Sequence, residues 1–184
     1  IELPNNNISF DNHAFGECIG LINVELPDNI TTPGLRMFYG CTNLEQVKLP
    51  SNFTEVGYMM FKNCSKLSNI TIPQGVTLIN YEAFYGCNGL TDVIIPASVT
   101  TIDQNAFESC NGLTSITFED NSQLTTLNSN IFRSCTHPFD VNFGNNSALS
   151  SINKNVFSGC AGLNSVTFGE NSKITSIPQY VFQN

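Results

Sequence analysis

The sequence is poor in charged residues, above all in positively charged ones, and it contains no tryptophan. Only 12% of its residues are charged, about half of the usual ~25%. Fifteen aspartates and glutamates outnumber seven lysines and arginines, which gives a formal net charge of −8. So few cations cannot neutralise a phosphate backbone, and this excludes a nucleic-acid-binding protein. The polar groups are instead 25 asparagines, 17 serines and 16 threonines.

Long hydrophobic runs are also missing. Runs such as Val93-Ile94-Ile95 are far below the roughly 18 residues that a membrane-spanning helix needs, so we expect no membrane insertion in this segment. No basic stretch followed by an apolar stretch marks a signal peptide. The chain begins with Ile1 rather than methionine, and we expect it to be a segment of a longer protein. Its length predicts a single domain over residues 1–184.

What the sequence does have is a repeat, which decides the fold before any other signal. Phenylalanine recurs every 23 residues and later every 25, and a cysteine follows each of the first seven by three residues. These two columns are predicted to form the structural core, and they comprise Phe15, Phe38, Phe61, Phe84, Phe107, Phe132 and Phe157 with Cys18, Cys41, Cys64, Cys87, Cys110, Cys135 and Cys160.

Each copy also carries a short period-2 pattern, as in Val93 and Ile95, which is typical of a strand with one buried face. In the 23-residue copies a proline ends this strand, because proline has no N–H for a β-ladder. In the 25-residue copies Glu119, Gly144 or Gly169 stands at that place. The step from the phenylalanine to the cysteine suits one 3₁₀ or α turn.

A unit of 23–25 residues cannot bury its own apolar face, but a stack of such units makes a continuous core. The sequence therefore predicts a leucine-rich-repeat solenoid. We expect a right-handed stack of about eight coils, the last one truncated, with a parallel β-sheet on one face and short 3₁₀ or α turns on the other.

The copy from Leu90 to Cys110, L-x-x-V-I-I-P-x-S-V-T-x-I-x-x-x-A-F-x-x-C, resembles the BspA-type (Treponema-type) leucine-rich repeat. The resemblance covers essentially the whole chain. The sequence departs from the pattern of the family in the sixth copy, where His137-Pro138-Phe139 replaces the usual Asn-Gly-Leu. The resemblance implies an extracellular or cell-surface protein that binds a protein or glycoprotein, of the host extracellular matrix or of another cell surface.

The cysteine, histidine and carboxylate side chains are the candidates for catalysis or metal binding, and their arrangement in the sequence predicts no enzyme, metal site or cofactor. The Cβ atoms of equivalent cysteines in neighbouring coils should be ~4.8 Å apart, whereas a disulfide requires a Cβ–Cβ distance of ~3.8 Å. The sequence therefore favours a column of reduced cysteines. No C-x-x-C pair is present to bind zinc. A thiol dyad of His137 with Cys135 would need an exposed thiolate, whereas Cys135 falls in a core column. Carboxylates in the later turns could bind calcium, but the glycine-aspartate repeats of calcium-binding β-rolls are absent.

Recognition should then depend on the side chains that point outward from the strands. The outward residues of the central coils are the predicted partner-binding set: Gln46, Lys48, Asn69, Thr71, Asp92, Ile94, Ser115 and Thr117. Ile94 is the only apolar member, and the acidic chain favours a basic patch on the partner. A second candidate surface is a cluster of tyrosines on the turn side, Tyr39, Tyr58, Tyr81 and Tyr85.

Two functions therefore remain open. The first is a non-enzymatic cell-surface module for adhesion that binds proteins by its repeated face. The alternative is a passive structural spacer or stalk that presents another domain. Outward side chains that are alike from coil to coil indicate a spacer. Residues that differ from this polar pattern, such as Ile94 and the tyrosines, indicate recognition.

Overall fold

A computed structural model describes residue 3 and residues 9–183, so the two ends of the predicted 1–184 domain lie outside the described residues. The described chain winds into a parallel β-solenoid, as predicted. Seven strands, numbered in chain order with those of a second sheet, line one side: β1 (Asn23–Glu25), β2 (Gln46–Lys48), β4 (Asn69–Ile70), β6 (Asp92–Ile95), β8 (Ser115–Phe118), β10 (Phe139–Asn142) and β12 (Leu163–Thr167). We call the outward surface of these seven strands the strand face.

A second, narrower set of strands follows the first in each of five coils. These strands are two residues long and also parallel: β3 (Glu55–Val56), β5 (Leu78–Ile79), β7 (Thr101–Ile102), β9 (Thr126–Leu127) and β11 (Ser151–Ile152). Their second residue is buried in every case. The sequence predicted apolar pairs here but not a second sheet, because two residues are too few to show a period of two.

The turns that carry the phenylalanines are not helical, and the predicted 3₁₀ or α turn is wrong. The step from Phe38 to Cys41 is closed by one hydrogen bond, from the N–H of Cys41 to the carbonyl of Phe38 (3.1 Å), but Gly40 within it has a φ of 70°. The second residue before each phenylalanine has a φ between 51° and 66°, whereas a right-handed helix needs negative φ throughout. The N–H of Phe38 donates to the carbonyl of Met60 in the next coil (2.9 Å) instead of to its own turn. Among the described residues no helix forms that is long and apolar enough to cross a membrane.

The phenylalanine rings form one stack along the solenoid. Successive ring centroids from Phe15 to Phe182 lie 5.0–5.7 Å apart, with planes within 21° of each other. The rings from Phe38 to Phe157 are buried. Phe15 is only half-buried, and Cys18 is exposed. Placing Cys18 in the buried column was therefore wrong, because no described coil covers it on the N-terminal side.

The six other cysteines are buried, and each thiol donates a hydrogen bond to the phenylalanine carbonyl of the preceding coil. The Sγ–O distance is 3.0 Å from Cys87 to Phe61 and 3.0 Å from Cys110 to Phe84, and the remaining four distances lie between 2.8 and 3.2 Å. All seven cysteines are free. Burial raises the pKa of Cys41 to about 11 and that of Cys110 to about 12, so these thiols stay protonated at neutral pH.

We expect thiol titration of the native protein to modify Cys18 at once and the six buried cysteines slowly, since the thiolate is the reactive form. Denaturation should make all seven reactive. In Cys18→Ser the fast phase should disappear while the slow phase is unchanged. A disulfide in a non-reducing mass measurement, or a fast phase of several thiols, would contradict this arrangement.

The sixth coil accommodates its irregular sequence by a shift of register. Phe139 pairs with Leu163, and the register shifts between Phe139 and Asp140. Its ring is fully buried, so Phe139 takes the place that leucine holds in the other coils. Pro138 therefore interrupts the sequence column without interrupting the core.

Candidate functional site

The structure places all eight predicted partner-binding residues on the strand face. Their neighbours Val47, Val93 and Ile116 point into the core, so the two outward residues of each strand lie on either side of a buried one. In β6, Asp92 and Ile94 are exposed, and the side chain of Ile94 is 60% exposed. Ser115 and Thr117 are half-buried.

Hydrogen bonds between coils engage the charged members of this set. The carboxylate of Asp92 accepts hydrogen bonds from the hydroxyls of Ser115 (2.6 Å) and Thr114 (2.9 Å), which lower its pKa. The ammonium of Lys48 is paired with the carboxylate of Glu25 in the preceding coil. Lys48 is therefore not an uncompensated cation.

The sheet behind the strand face is divided between the third and fourth strands. β1, β2 and β4 form one sheet, and β6, β8, β10 and β12 form another. The N–H of Phe143 donates to the carbonyl of Thr167 in the next coil (2.9 Å). Among the described residues, no backbone hydrogen bond joins the equivalent N–H groups of Leu49 and Ile72 to the next coil.

A cleft lies on both sides of residues 71–74, where the pairing of β2 with β4 has ended at Ile70 and β4 does not pair with β6. The larger hollow, about 550 Å³, lies between the second and third coils, and the smaller one, about 240 Å³, lies between the third and fourth. We call the two together the strand-face cleft. It is lined by Val47, Lys48, Leu49, Ser51, Ile70, Thr71, Ile72, Pro73, Gln74, Asp92, Ile94, Pro96 and Glu119.

The floor of the cleft is apolar, and part of it belongs to the core. The side chains of Leu49 and Ile70 are 7% and 9% exposed. Their equivalents in the fourth coil, Ile95 and Val93, are fully buried. Side chains whose equivalents are covered in the fourth to sixth coils can therefore be reached from the strand face here. Of the eight predicted residues, the cleft brings together Lys48, Thr71, Asp92 and Ile94, while the other four are not among its lining residues.

Glu119 is a cleft residue that sequence analysis did not identify as part of the site. One carboxylate oxygen accepts from the side-chain amide of Gln74 (2.9 Å) and the other from the N–H of Ala97 (3.0 Å). The carboxylate thus reaches across a whole coil and closes one end of the smaller hollow. A signal was present, because Glu119 occurs in the first copy that lacks the proline stop.

In the tyrosine cluster, the second candidate surface, three of the rings contact other side chains of the protein through their faces. Tyr58 and Tyr81 stack with centroids 5.6 Å apart, and the guanidinium of Arg36 lies 5.7 Å from the Tyr58 ring. The ammonium of Lys62 lies 4.6 Å from the Tyr85 ring. These contacts cover both faces of the Tyr58 ring and one face each of Tyr81 and Tyr85, which leaves less ring surface for a partner.

The residues considered for catalysis are not brought together. Cys135 is fully buried, and its thiol donates to the carbonyl of Phe107 (3.2 Å). His137 contacts the carbonyl of Pro138 through Nδ1 (3.2 Å), and His13 lies near Arg36, 3.5 Å from its guanidinium. Within the described part of the chain, no group of three metal-ligating side chains is close enough to hold a metal ion.

Comparisons with known proteins agree with this architecture. The family model described as the BspA type leucine rich repeat region matches residues 1–114 and 60–184, with six copies. The crystal structure of a leucine-rich repeat protein of T. pallidum is 30% identical to this chain, with a TM-score of 0.76. That match covers 84% of this chain and 70% of the other. Among curated proteins, none matches the chain in sequence.

Two further crystal structures share the fold. A leucine-rich repeat protein from Bacteroides ovatus is 19% identical with a TM-score of 0.54, over 85% of this chain and 63% of that one. A leucine-rich repeat protein from Eubacterium ventriosum is 22% identical with a TM-score of 0.58, over 89% of this chain and 62% of that one. The chain thus spans less than two thirds of the length of these two proteins.

Proposed function

The chain belongs to the family of BspA-type leucine-rich repeat proteins, and from this premise we propose that it is a non-enzymatic module that binds a partner protein through its strand face. The observation that carries the proposal is the strand-face cleft. The equivalent residues of the fourth to sixth coils are at most 1% exposed, whereas Leu49 and Ile70 are 7% and 9% exposed. The exposed Ile94 stands at its rim.

A passive spacer is the competing function, and the cleft weighs against it. A spacer needs only an uninterrupted stack, and the second half of the strand face meets that need with four paired strands. An open apolar floor reduces the burial that stabilises a coil. Partly exposed apolar groups with a polar rim are typical of binding surfaces.

We further propose that the module acts at a cell surface in adhesion. The support is its family, together with an outward surface dominated by uncharged amides and hydroxyls. Its partner would be a protein or glycoprotein of the host extracellular matrix or of another cell surface. Antibody labelling of intact cells that produce the full-length protein tests this location, since an intracellular module would be labelled only after lysis.

A binding screen against matrix and surface proteins tests the strand face. We expect Ile94→Glu and Asp92→Lys each to weaken the binding of a partner by about 10-fold or more. The first places a charge on the exposed apolar position of the cleft, and the second reverses the charge beside it. Thr167→Glu and Asp140→Lys are matched controls, since they lie in the same two outward columns but outside the cleft.

Retention of full affinity in both cleft variants would show that the strand face is the wrong surface. Tyr58→Ala and Tyr81→Ala would then test the turn side. Failure to bind any protein in such a screen would favour the spacer.

A further inference from the structure

We propose that the strand-face cleft takes a partner loop in which an apolar side chain is adjacent to, or one residue away from, a lysine or arginine. This inference rests on the proposed function and adds the chemistry of the partner. It follows from a difference between the two hollows. The larger one has an apolar floor, whereas the smaller one has two carboxylates on its walls.

The larger hollow suits the apolar side chain. Val47, Leu49 and Pro73 line it, and its volume of about 550 Å³ lies within the range of roughly 300–1,000 Å³ that is typical of ligand pockets. The Lys48 ammonium at its edge is already paired with Glu25. No carboxylate lines this hollow, so it offers no partner for the basic group of the loop.

The smaller hollow suits the basic side chain. Asp92 and Glu119 both line it, and Ile94 and Pro96 offer an apolar wall along which the stem of a lysine or arginine can pack. Each oxygen of the Glu119 carboxylate accepts one hydrogen bond from the protein and has a lone pair for a second. A guanidinium or ammonium is the group that uses such acceptors best.

The charges around the cleft also favour a basic partner loop. Lys48 is the only cation among the lining residues, and it faces Glu25 and lies near Asp28. The carboxylate of Asp28 accepts from the N–H of Ser51 at the rim (2.9 Å). With a net charge of −8 on the whole chain, the cleft attracts a basic loop and repels an acidic one.

The spacing of the two hollows determines the sequence of the loop. They lie on opposite sides of residues 71–74, in adjacent gaps between coils, and coils in a parallel stack are about 4.8 Å apart. An extended chain advances about 3.3 Å per residue. The two groups must therefore be neighbours or be separated by one residue.

Methyl NMR titration with short peptides tests this chemistry without knowledge of the partner. The probes are the N-acetyl amides of phenylalanyl-arginine, phenylalanyl-glutamate and glycyl-arginine. We expect the first to shift the methyl resonances of Leu49, Ile72 and Ile94 saturably, with a dissociation constant of about 1–10 mM. The other two should bind at least about threefold more weakly, and about 0.5 M salt should weaken the first.

Neutral variants identify the carboxylates. Glu119→Gln and Asp92→Asn should each weaken phenylalanyl-arginine by about threefold. Asp140→Asn is the matched control, because Asp140 accepts the same kind of serine hydrogen bond, from Ser165 at 2.6 Å, outside the cleft. It should change nothing.

Equal binding of the acidic peptide, an equal loss in Asp140→Asn, or no saturable shift up to about 20 mM would overturn the inference. The protein partner distinguishes this failure from failure of the proposed function. If Ile94→Glu abolishes partner binding while Thr167→Glu does not, the strand face is the binding surface and only the chemistry of the loop is wrong.

Discussion

Replacing Phe84 with alanine is expected to lower the free energy of unfolding by about 3–5 kcal/mol. The Phe84 ring is fully buried and stacks between Phe61 at 5.5 Å and Phe107 at 5.0 Å. Its removal leaves a cavity in the middle of the stack and weakens the contacts with both neighbouring coils. In a solenoid, stability depends on such nearest-neighbour contacts, so the effect should spread beyond one coil. Urea unfolding followed by circular dichroism measures it.

Phe182→Ala is the control for this prediction. Phe182 stacks on Phe157 at 5.4 Å but is 45% exposed, and no described coil covers its other side. Its loss should cost less than half as much as that of Phe84, because less apolar surface is uncovered. Equal losses at the two positions would show that the rings do not act as one stack.

The second large effect is expected at Gly112, where the backbone of the preceding coil lies very close. A Cβ atom built on Gly112 would lie 2.1 Å from the carbonyl oxygen of Asn88 in the preceding coil. Since that atom is backbone, the two coils must move apart to relieve the clash. We expect Gly112→Ala to destabilise the protein by about 1–3 kcal/mol, measured by the same urea unfolding.

Gly20 provides a control from the same column of the repeat. It also lies five residues after the column phenylalanine, but no atom of the described residues lies within 4 Å of a Cβ built there. Gly20→Ala should therefore leave the stability unchanged or raise it slightly, because alanine restricts the unfolded chain. If Gly112→Ala is as harmless as Gly20→Ala, the spacing of the coils in this region is wider than described.

The sequence was sufficient to predict the solenoid, its parallel sheet and the direction of its side chains. Val93 and Ile95 point inward and Ile94 outward because a strand alternates with a period of two, and eight copies repeat the same pattern. The turns could not be predicted in this way. Arg36, Met59 and Glu82 adopt left-handed φ values, although such residue types seldom do so.

The cleft was only partly predictable, for a different reason. Its residues are regular members of the repeat, and Leu49 and Ile72 occupy the same column as the well-covered Ile95. The opening depends on hydrogen bonds between coils, which one copy of the repeat does not encode alone. The sequence indicated Lys48, Thr71, Asp92 and Ile94 because they point outward, but it did not indicate that residues 71–74 separate from their neighbours.

Amide hydrogen exchange, resolved by residue with NMR, tests the central claim most directly. The claim is that the strand face is open beside β4 and closed at β8 and β10, and that a partner binds in the opening. In the free protein the N–H groups of Leu49 and Ile72 should exchange at least about 10-fold faster than that of Phe143, which donates to the next coil at 2.9 Å. A bound partner should slow Leu49 and Ile72 and leave Phe143 unchanged. Equally slow exchange at all three positions in the free protein would contradict the account.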